Sequence, residues 1–117
     1  MRATNGPATR QRRNRVLKRA KGFRGGRGAL YRNARETTIR ADAFAFFGRK
    51  QRKREFRSLW VIRLNAAVKA HGLNYSRFIH GVQKSGILLN RKELSELAIH
   101  DPDTFAALVQ QAKGALA

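Results

Sequence analysis

The aliphatic residues of this 117-residue chain are concentrated in its second half, which limits where a hydrophobic core can form. The Leu, Ile and Val residues before residue 58 are Val16, Leu17, Leu30 and Ile39. Ordering one residue costs roughly 1–2 kcal/mol of backbone entropy, and so few apolar side chains cannot offset that cost. We therefore expect residues 1–57 to form no core of their own, and residues 58–117 to form a small globular domain.

The charged residues have the opposite distribution. Residues 1–57 contain 19 Lys and Arg against 3 Asp and Glu, a net of +16, whereas residues 58–117 contain 7 against 4, a net of +3. A small compact domain with a total charge of +19 repels itself strongly. A polyanion relieves the repulsion through phosphate pairing and counterion release. The distribution predicts a nucleic-acid partner for the first half, which we expect to become ordered on binding.

Other functional classes have little support in the sequence. Apolar stretches such as residues 43–47 are too short to span a bilayer, so no membrane partner is expected. The absence of cysteine excludes disulfides and thiolate chemistry, and the three His residues lack metal-ligand spacing. We expect no metal and no cofactor. Because neither a phosphate-binding loop nor a nucleophile elbow is present, we predict that the chain is not an enzyme.

Helical periodicity predicts an all-α fold. Residues 59–70 form an amphipathic run that stops at Gly72, and Asn74 or Ser76 can cap the following helix, which ends near Gly86.

Two further helix starts are indicated by local motifs. Asn90 with Glu93 is typical of a capping box, and Asp101 before Pro102 is typical of a cap followed by proline at the first helical position.

The first half also favours helix, because Arg, Lys, Ala and Gln are good helix formers. One helix is predicted at residues 9–21, and a second from about Leu30 into the helix of Trp60. The glycine-rich residues 22–28 are interpreted as a tight turn, with an arginine–glycine RNA-binding box as the alternative. We expect Trp60 to pack in the core, because Leu59, Val61 and Ile62 surround it.

The basic clusters predict contact with phosphates. On a helix of 3.6 residues per turn, the cations of residues 10–21 surround the axis rather than marking one face. The second cluster, residues 49–57, would also suit a nuclear localisation signal. Phe44 and Phe47 share a helix face, which suits either stacking on unpaired bases or docking on a protein.

Several segments resemble one family. Residues 53–67 (KREFRSLWVIRLNAA) are similar to the signature of bacterial-type large-subunit ribosomal protein twenty. Residues 16–23 (VLKRAKGF) and 49–54 (RKQRKR) resemble its N-terminal segments. Residues 72–79 (GLNYSRFI) and 89–92 (LNRK) resemble its C-terminal domain. The resemblance covers nearly the whole chain.

The resemblance implies a long basic helical N-terminal extension that threads into large-subunit ribosomal RNA, and a small helical C-terminal domain on the subunit surface. It further implies neighbouring large-subunit proteins as partners, an early role in subunit assembly and no homo-oligomer. We expect the chain to be located in the ribosome, either in the cytoplasm or in an organelle. In some bacteria the family's C-terminal domain also represses its own operon by binding the messenger RNA.

The expected RNA-binding residues combine the basic clusters with two positions of the signature. They are Arg10, Arg12, Arg13, Arg15, Lys18, Arg19, Lys21, Arg24, Arg27, Tyr31, Arg32, Arg35, Arg40, Arg49, Lys50, Arg52, Lys53, Arg54, Arg57, Arg63 and Asn65.

Three other functions compete with this one. A dedicated translational repressor would bind one messenger RNA selectively outside ribosomes. A nucleoid-type packing protein would bind duplex DNA at least as well as RNA. If the chain were a cationic membrane-active peptide, acidic vesicles would compete with RNA for binding to it.

Overall fold

The computed structural model describes residue 2 and residues 4–117, and every regular element among them is a helix. The helices are α1 (Gly6–Arg19), α2 (Gly26–Ala29), α3 (Tyr31–Lys69), α4 (Tyr75–Lys84), α5 (Arg91–His100) and α6 (Pro102–Leu116). The predicted all-α class is therefore confirmed. Within the described residues, no helix is long and apolar enough to cross a membrane.

The chain divides into two compact units, the first ending at Lys50 and the second comprising Gln51–Ala117. This division falls inside α3, seven residues before the boundary expected from charge and hydropathy. Assignment of residues 1–57 to an RNA-threading extension and 58–117 to a globular domain stays a prediction.

The first unit buries very little. Its fully buried apolar side chains among the described residues are those of Ala20 and Ala34, and Thr38 is the buried polar residue. Helix α1 begins at Gly6, earlier than predicted, because proline is favourable in the first helical turn. A unit held by two alanines gains little hydrophobic stabilisation, as the scarcity of aliphatic residues indicated.

The glycine turn (residues 20–25) and the short helix α2 join α1 to α3, so the interpretation of residues 22–28 as a turn holds for residues 22–25 and is wrong for Gly26–Gly28, which are helical. Gly22 and Gly25 have φ angles of +91° and +63°, a region that residues with a Cβ rarely adopt. At Gly28 a Cβ would lie 2.5 Å from the Phe23 carbonyl oxygen. The sequence is therefore rich in glycine here for steric reasons within the protein itself.

The second unit contains the hydrophobic core. The core side chains come from four helices and are Leu64, Val68, Phe78, Val82, Leu94, Phe105, Val109 and Ala112. Burying a large apolar side chain contributes about 1.5–3 kcal/mol, so these residues account for a stable domain. Core formation was predicted for this half.

The predicted caps are present in the second unit. The Asn74 side chain accepts a hydrogen bond of 3.0 Å from the Arg77 backbone N–H, and Asn90 forms a capping box with Glu93. The Asp101 carboxylate accepts hydrogen bonds from the Thr104 hydroxyl and backbone N–H, which hold the pKa of Asp101 below its ordinary value. These caps satisfy backbone N–H groups that have no partner within the helix.

The expectation for Trp60 is wrong. Its side chain is half-buried and lies outside the core, which begins one turn later along α3, at Leu64. The apolar neighbours along the chain misled the prediction, because Leu59 and Ile62 are themselves exposed. A local apolar run shows that a helix has an apolar face, and burial depends on where the other helices pack.

Candidate nucleic-acid interface

The cations of α1 are exposed in several directions. Arg10, Arg12, Arg15 and Lys18 all lie on the surface, and successive residues turn by about 100° around the helix axis. Half-buried Val16 and Leu17 account for the small part of the helix that faces protein. The arrangement is suited to contacting phosphates from more than one RNA helix at once.

Arg13 and Tyr31 form a cation–π pair within the first unit. The Arg13 guanidinium carbon lies 5.4 Å from the centroid of the Tyr31 ring, which is half-buried. Such contacts contribute about 0.5–1 kcal/mol at exposed sites. Tyr31 thereby helps to orient Arg13, and its own ring is less open to bases than the sequence suggested.

Arg19 is paired with a carboxylate. Its guanidinium donates a hydrogen bond to Asp42 across the first unit, and both side chains are more than half exposed. The hydrogen bond raises the pKa of Arg19 and lowers the pKa of Asp42, so both groups remain charged. A phosphate that binds Arg19 must share it with this acid.

The remaining predicted cations of the first unit are exposed. They are Lys21, Arg24, Arg27, Arg32, Arg35, Arg40, Arg49 and Lys50. Arg24 lies on the glycine turn and Arg27 on α2, whereas Arg32 lies 3.7 Å from Glu36 one helical turn away. Exposed pairs of this kind contribute about 0–1 kcal/mol, so Arg32 remains available to phosphate.

Residues 41–59 of α3 are all exposed, including four phenylalanines. Phe44 and Phe47 are 68% and 61% exposed, which is unusual for large apolar side chains. The Lys50 amine lies 5.3 Å from the Phe46 centroid, and the Arg52 guanidinium carbon lies 5.7 Å from the Phe56 centroid. This part of the helix therefore presents aromatic rings and cations together.

The predicted RNA-binding residues of the second unit differ from one another in exposure. Arg52, Lys53, Arg54 and Arg57 are exposed, whereas Arg63 and Asn65 are half-buried. A terminal nitrogen of Arg63 lies 3.9 Å from a Glu96 carboxylate oxygen on α5. Arg63 thus has a partner within the domain, and RNA contact by Arg63 and Asn65 stays a prediction.

An open depression of about 230 Å³ lies beside Trp60 in the second unit. It is lined by Arg57 and Trp60 of α3 and by Asn90, Arg91 and Lys92 at the start of α5. Arg91 and Lys92 were not among the predicted RNA-binding residues. The capping box showed that a helix starts there, but nothing local indicates that this start lies beside Trp60.

Among residue 2 and residues 4–117, no three His, Asp or Glu side chains come close enough together to hold a metal ion. The three acids of the first half, Glu36, Asp42 and Glu55, are exposed, and the first two lie beside arginines.

The comparisons with known proteins agree with one another. The family model for ribosomal protein L20 matches residues 2–108. A large ribosomal subunit protein bL20 from Rhodopirellula baltica is 60% identical over 117 residues, which cover 100% of this chain and 99% of that protein. Proteins with the same description from Chlamydia trachomatis serovar L2 and Mycoplasma capricolum are 56% and 54% identical, over 99% and 95% of this chain and 94% and 93% of theirs. The chain belongs to the ribosomal protein L20 family.

Proposed function

We propose that this chain is a structural constituent of the large ribosomal subunit, where it binds ribosomal RNA directly and supports subunit assembly. The observation that carries the proposal is the exposure of cations along α1, the glycine turn and α3, in a half of the chain whose net charge is +16. The description of its relatives as large ribosomal subunit proteins supports the same role.

The proposed mechanism is electrostatic. Phosphates of RNA helices that approach one another repel, and Lys and Arg side chains placed between them lower this cost and release counterions. Most of the cations involved are arginines, whose planar guanidinium binds phosphate through two hydrogen bonds and stacks on bases. The basic segment acts as a multivalent bridge between RNA helices.

The proposal includes the finer expectations about partners and role. Neighbouring large-subunit proteins are proposed as partners of surfaces that RNA leaves free, and the chain's own messenger RNA as a further ligand of the C-terminal domain. We propose a role that is structural rather than enzymatic, in ribosomes of the cytoplasm or of an organelle.

Sucrose-gradient fractionation tests the proposal. In an extract of cells that make the chain, it should sediment with the large subunit and with its precursors, and should remain there after a wash in moderate salt. Its absence from both fractions would overturn the proposal.

Binding to purified large-subunit RNA tests whether the exposed cations of α1 contact RNA. The triple variant Arg12→Gln, Arg15→Gln, Lys18→Gln removes three exposed cations of α1, and should reduce the slope of log affinity against log salt by about two to three. The matched control is Lys69→Gln, Arg77→Gln, Lys84→Gln, which removes three exposed cations of the second unit. Equal losses in the two variants would contradict a binding surface centred on the basic segment.

A further inference from the structure

We propose that the depression beside Trp60 binds one unpaired RNA nucleotide, whose base stacks on the indole ring while its phosphates pair with Arg57, Arg91 and Lys92. This inference rests on the proposed function, and adds to it a site that distinguishes single-stranded from duplex RNA.

The indole ring is suited to stacking. Trp60 is half-buried, and Leu64 one turn later is fully buried, so the backbone beneath the ring is fixed by the core. The Phe56 ring lies 6.3 Å from the indole, tilted by 44°, and extends the aromatic surface along α3. Bases stack on such rings at about 1–3 kcal/mol each, and a base inside a duplex is not free to do so.

The cations are positioned on the two sides of the depression. Arg57 on α3 and Lys92 on α5 are exposed, and Arg91 is half-buried. The Arg91 Nε donates a hydrogen bond of 2.7 Å to the Tyr75 hydroxyl. Because this bond uses Nε, the two terminal nitrogens remain available to hold a phosphate bidentately. Tyr75 is accordingly a positioning residue for Arg91.

The remaining groups of the depression favour an anionic ligand. The Asn90 side-chain oxygen accepts a hydrogen bond of 2.9 Å from the Glu93 backbone N–H. The Glu93 carboxylate accepts one of 2.8 Å from the Asn90 backbone N–H. The depression has no acidic lining residue. Its volume of about 230 Å³ lies below the roughly 300–1,000 Å³ of ordinary ligand pockets, so the depression takes one base, and the attached sugar and phosphate lie at its rim beside the cations.

The chain has one tryptophan, so emission excited at a wavelength that tryptophan absorbs and tyrosine does not reports on the surroundings of Trp60. We would titrate the full chain with a single-stranded RNA of about ten nucleotides, with a duplex RNA of equal length and with inorganic polyphosphate. The single strand should quench the emission strongly and saturably, and the other two probes should quench it by less than half as much. Equal quenching by polyphosphate or duplex would overturn the proposal, because base stacking would then not be its cause.

Matched variants test the cations. Lys92→Gln and Arg91→Gln should raise the midpoint of the fluorescence titration, Arg91→Gln by roughly tenfold. Lys84→Gln and Arg77→Gln remove the same charge from exposed positions on α4 and should leave the midpoint within about twofold. Lys92 is exposed, so Lys92→Gln should leave the midpoint of urea unfolding unchanged. The RNA titration of Lys92→Gln therefore tests the site even if Arg91→Gln weakens the fold. Equal shifts in all four variants would contradict a defined site.

The same titration separates this inference from the proposed function. If the chain retains RNA on a filter while its emission stays constant, Trp60 is not a stacking site although the chain binds RNA. If no RNA is retained, both proposals fail. A protein partner on the depression would leave the emission insensitive to every RNA probe, and would equally overturn the nucleotide site.

Discussion

Gly81 allows α4 and α6 to pack closely in the second unit because it has no Cβ. It lies in the middle of α4, is buried against α6, and a Cβ at this position would be 2.5 Å from the Ala112 carbonyl oxygen. The neighbouring atom is backbone and cannot rotate away. Glycine costs about 1 kcal/mol in a helix interior, so its presence here indicates that the close approach of α4 and α6 outweighs that cost.

Gly81→Ala should therefore lower the free energy of unfolding by about 1–3 kcal/mol, although alanine is the better helix former. The measurement is urea unfolding of the full chain followed by circular dichroism at 222 nm. Gly114→Ala is the control, because its Cβ would have open space on α6. It should stabilise the domain by up to about 1 kcal/mol, and a stabilising effect of both changes would show that α4 and α6 can separate at no cost.

Residues whose roles are local could be predicted from the sequence, and Trp60 could not. The caps at Asn74, Asn90 and Asp101 act within three residues of their own position, so their motif contains all the relevant information. The environment of Trp60 is formed by residues 90–92, which lie thirty positions away. Without knowledge of helix packing, a tryptophan between aliphatic residues is assigned to the core.

Helix α3 combines two segments with different sources of stability. After about residue 60 it contributes Leu64 and Val68 to the core, whereas residues 41–59 are exposed on every side. Gly48 lies in this exposed segment, and a Cβ there would have open space. The exposed segment is therefore held mainly by helix propensity, which is marginal for isolated helices, with small contributions from the Asp42 ion pair and the cation–π contacts of Phe46 and Phe56.

We expect the backbone amide hydrogens of residues 43–57 to exchange quickly with solvent in the free chain. When large-subunit RNA is bound, exchange should be at least tenfold slower, because phosphates then neutralise the like charges along the helix. Hydrogen exchange measured by mass spectrometry checks this, with residues 64–68 as the internal reference. Gly48→Ala should slow exchange of the same segment without RNA, because it removes about 1 kcal/mol of helix penalty. Exchange as slow as in residues 64–68 before RNA is added would show that the segment is stable by itself.

The continuity of α3 was predicted in outline. Good helix formers between Leu30 and Trp60, and the weak effect of one glycine, indicated that the second helix would run into the core helix. Its first residue, Tyr31, was placed within one position. The preceding short helix Gly26–Ala29 was not predicted, because it depends on the close approach of Gly28 to the Phe23 carbonyl rather than on propensity.

For the whole molecule, the separation of charge from hydrophobicity is the dominant property. The half with net charge +16 has almost no buried residues, and the half with net charge +3 has the core. Composition alone predicted this separation, because charge and burial both follow from residue type. Composition did not distinguish RNA from other polyanions, and the similarity of the Trp60 segment to one family made that distinction.

A chain that starts at Ser58 should test the predicted boundary. It keeps all eight core side chains, and we expect a cooperative urea transition and a helical circular dichroism spectrum. With a net charge of +3, its binding to RNA should depend much less on salt than that of the full chain, with a slope smaller by several units. A chain starting at Gln51 is the control for the position of the cut. Loss of cooperative unfolding in the Ser58 chain alone would place the boundary before residue 58.

The location of the core after the basic segment has a consequence for the timing of synthesis. Ala112 and Val109 complete the core, and they follow the end of α1 by about ninety residues. At roughly 5–20 residues per second, Arg10 to Arg19 are made about 5–20 seconds before the domain can close. During that interval the cationic helix has no folded domain attached to it, so its charge can attract a polyanion before the core has formed.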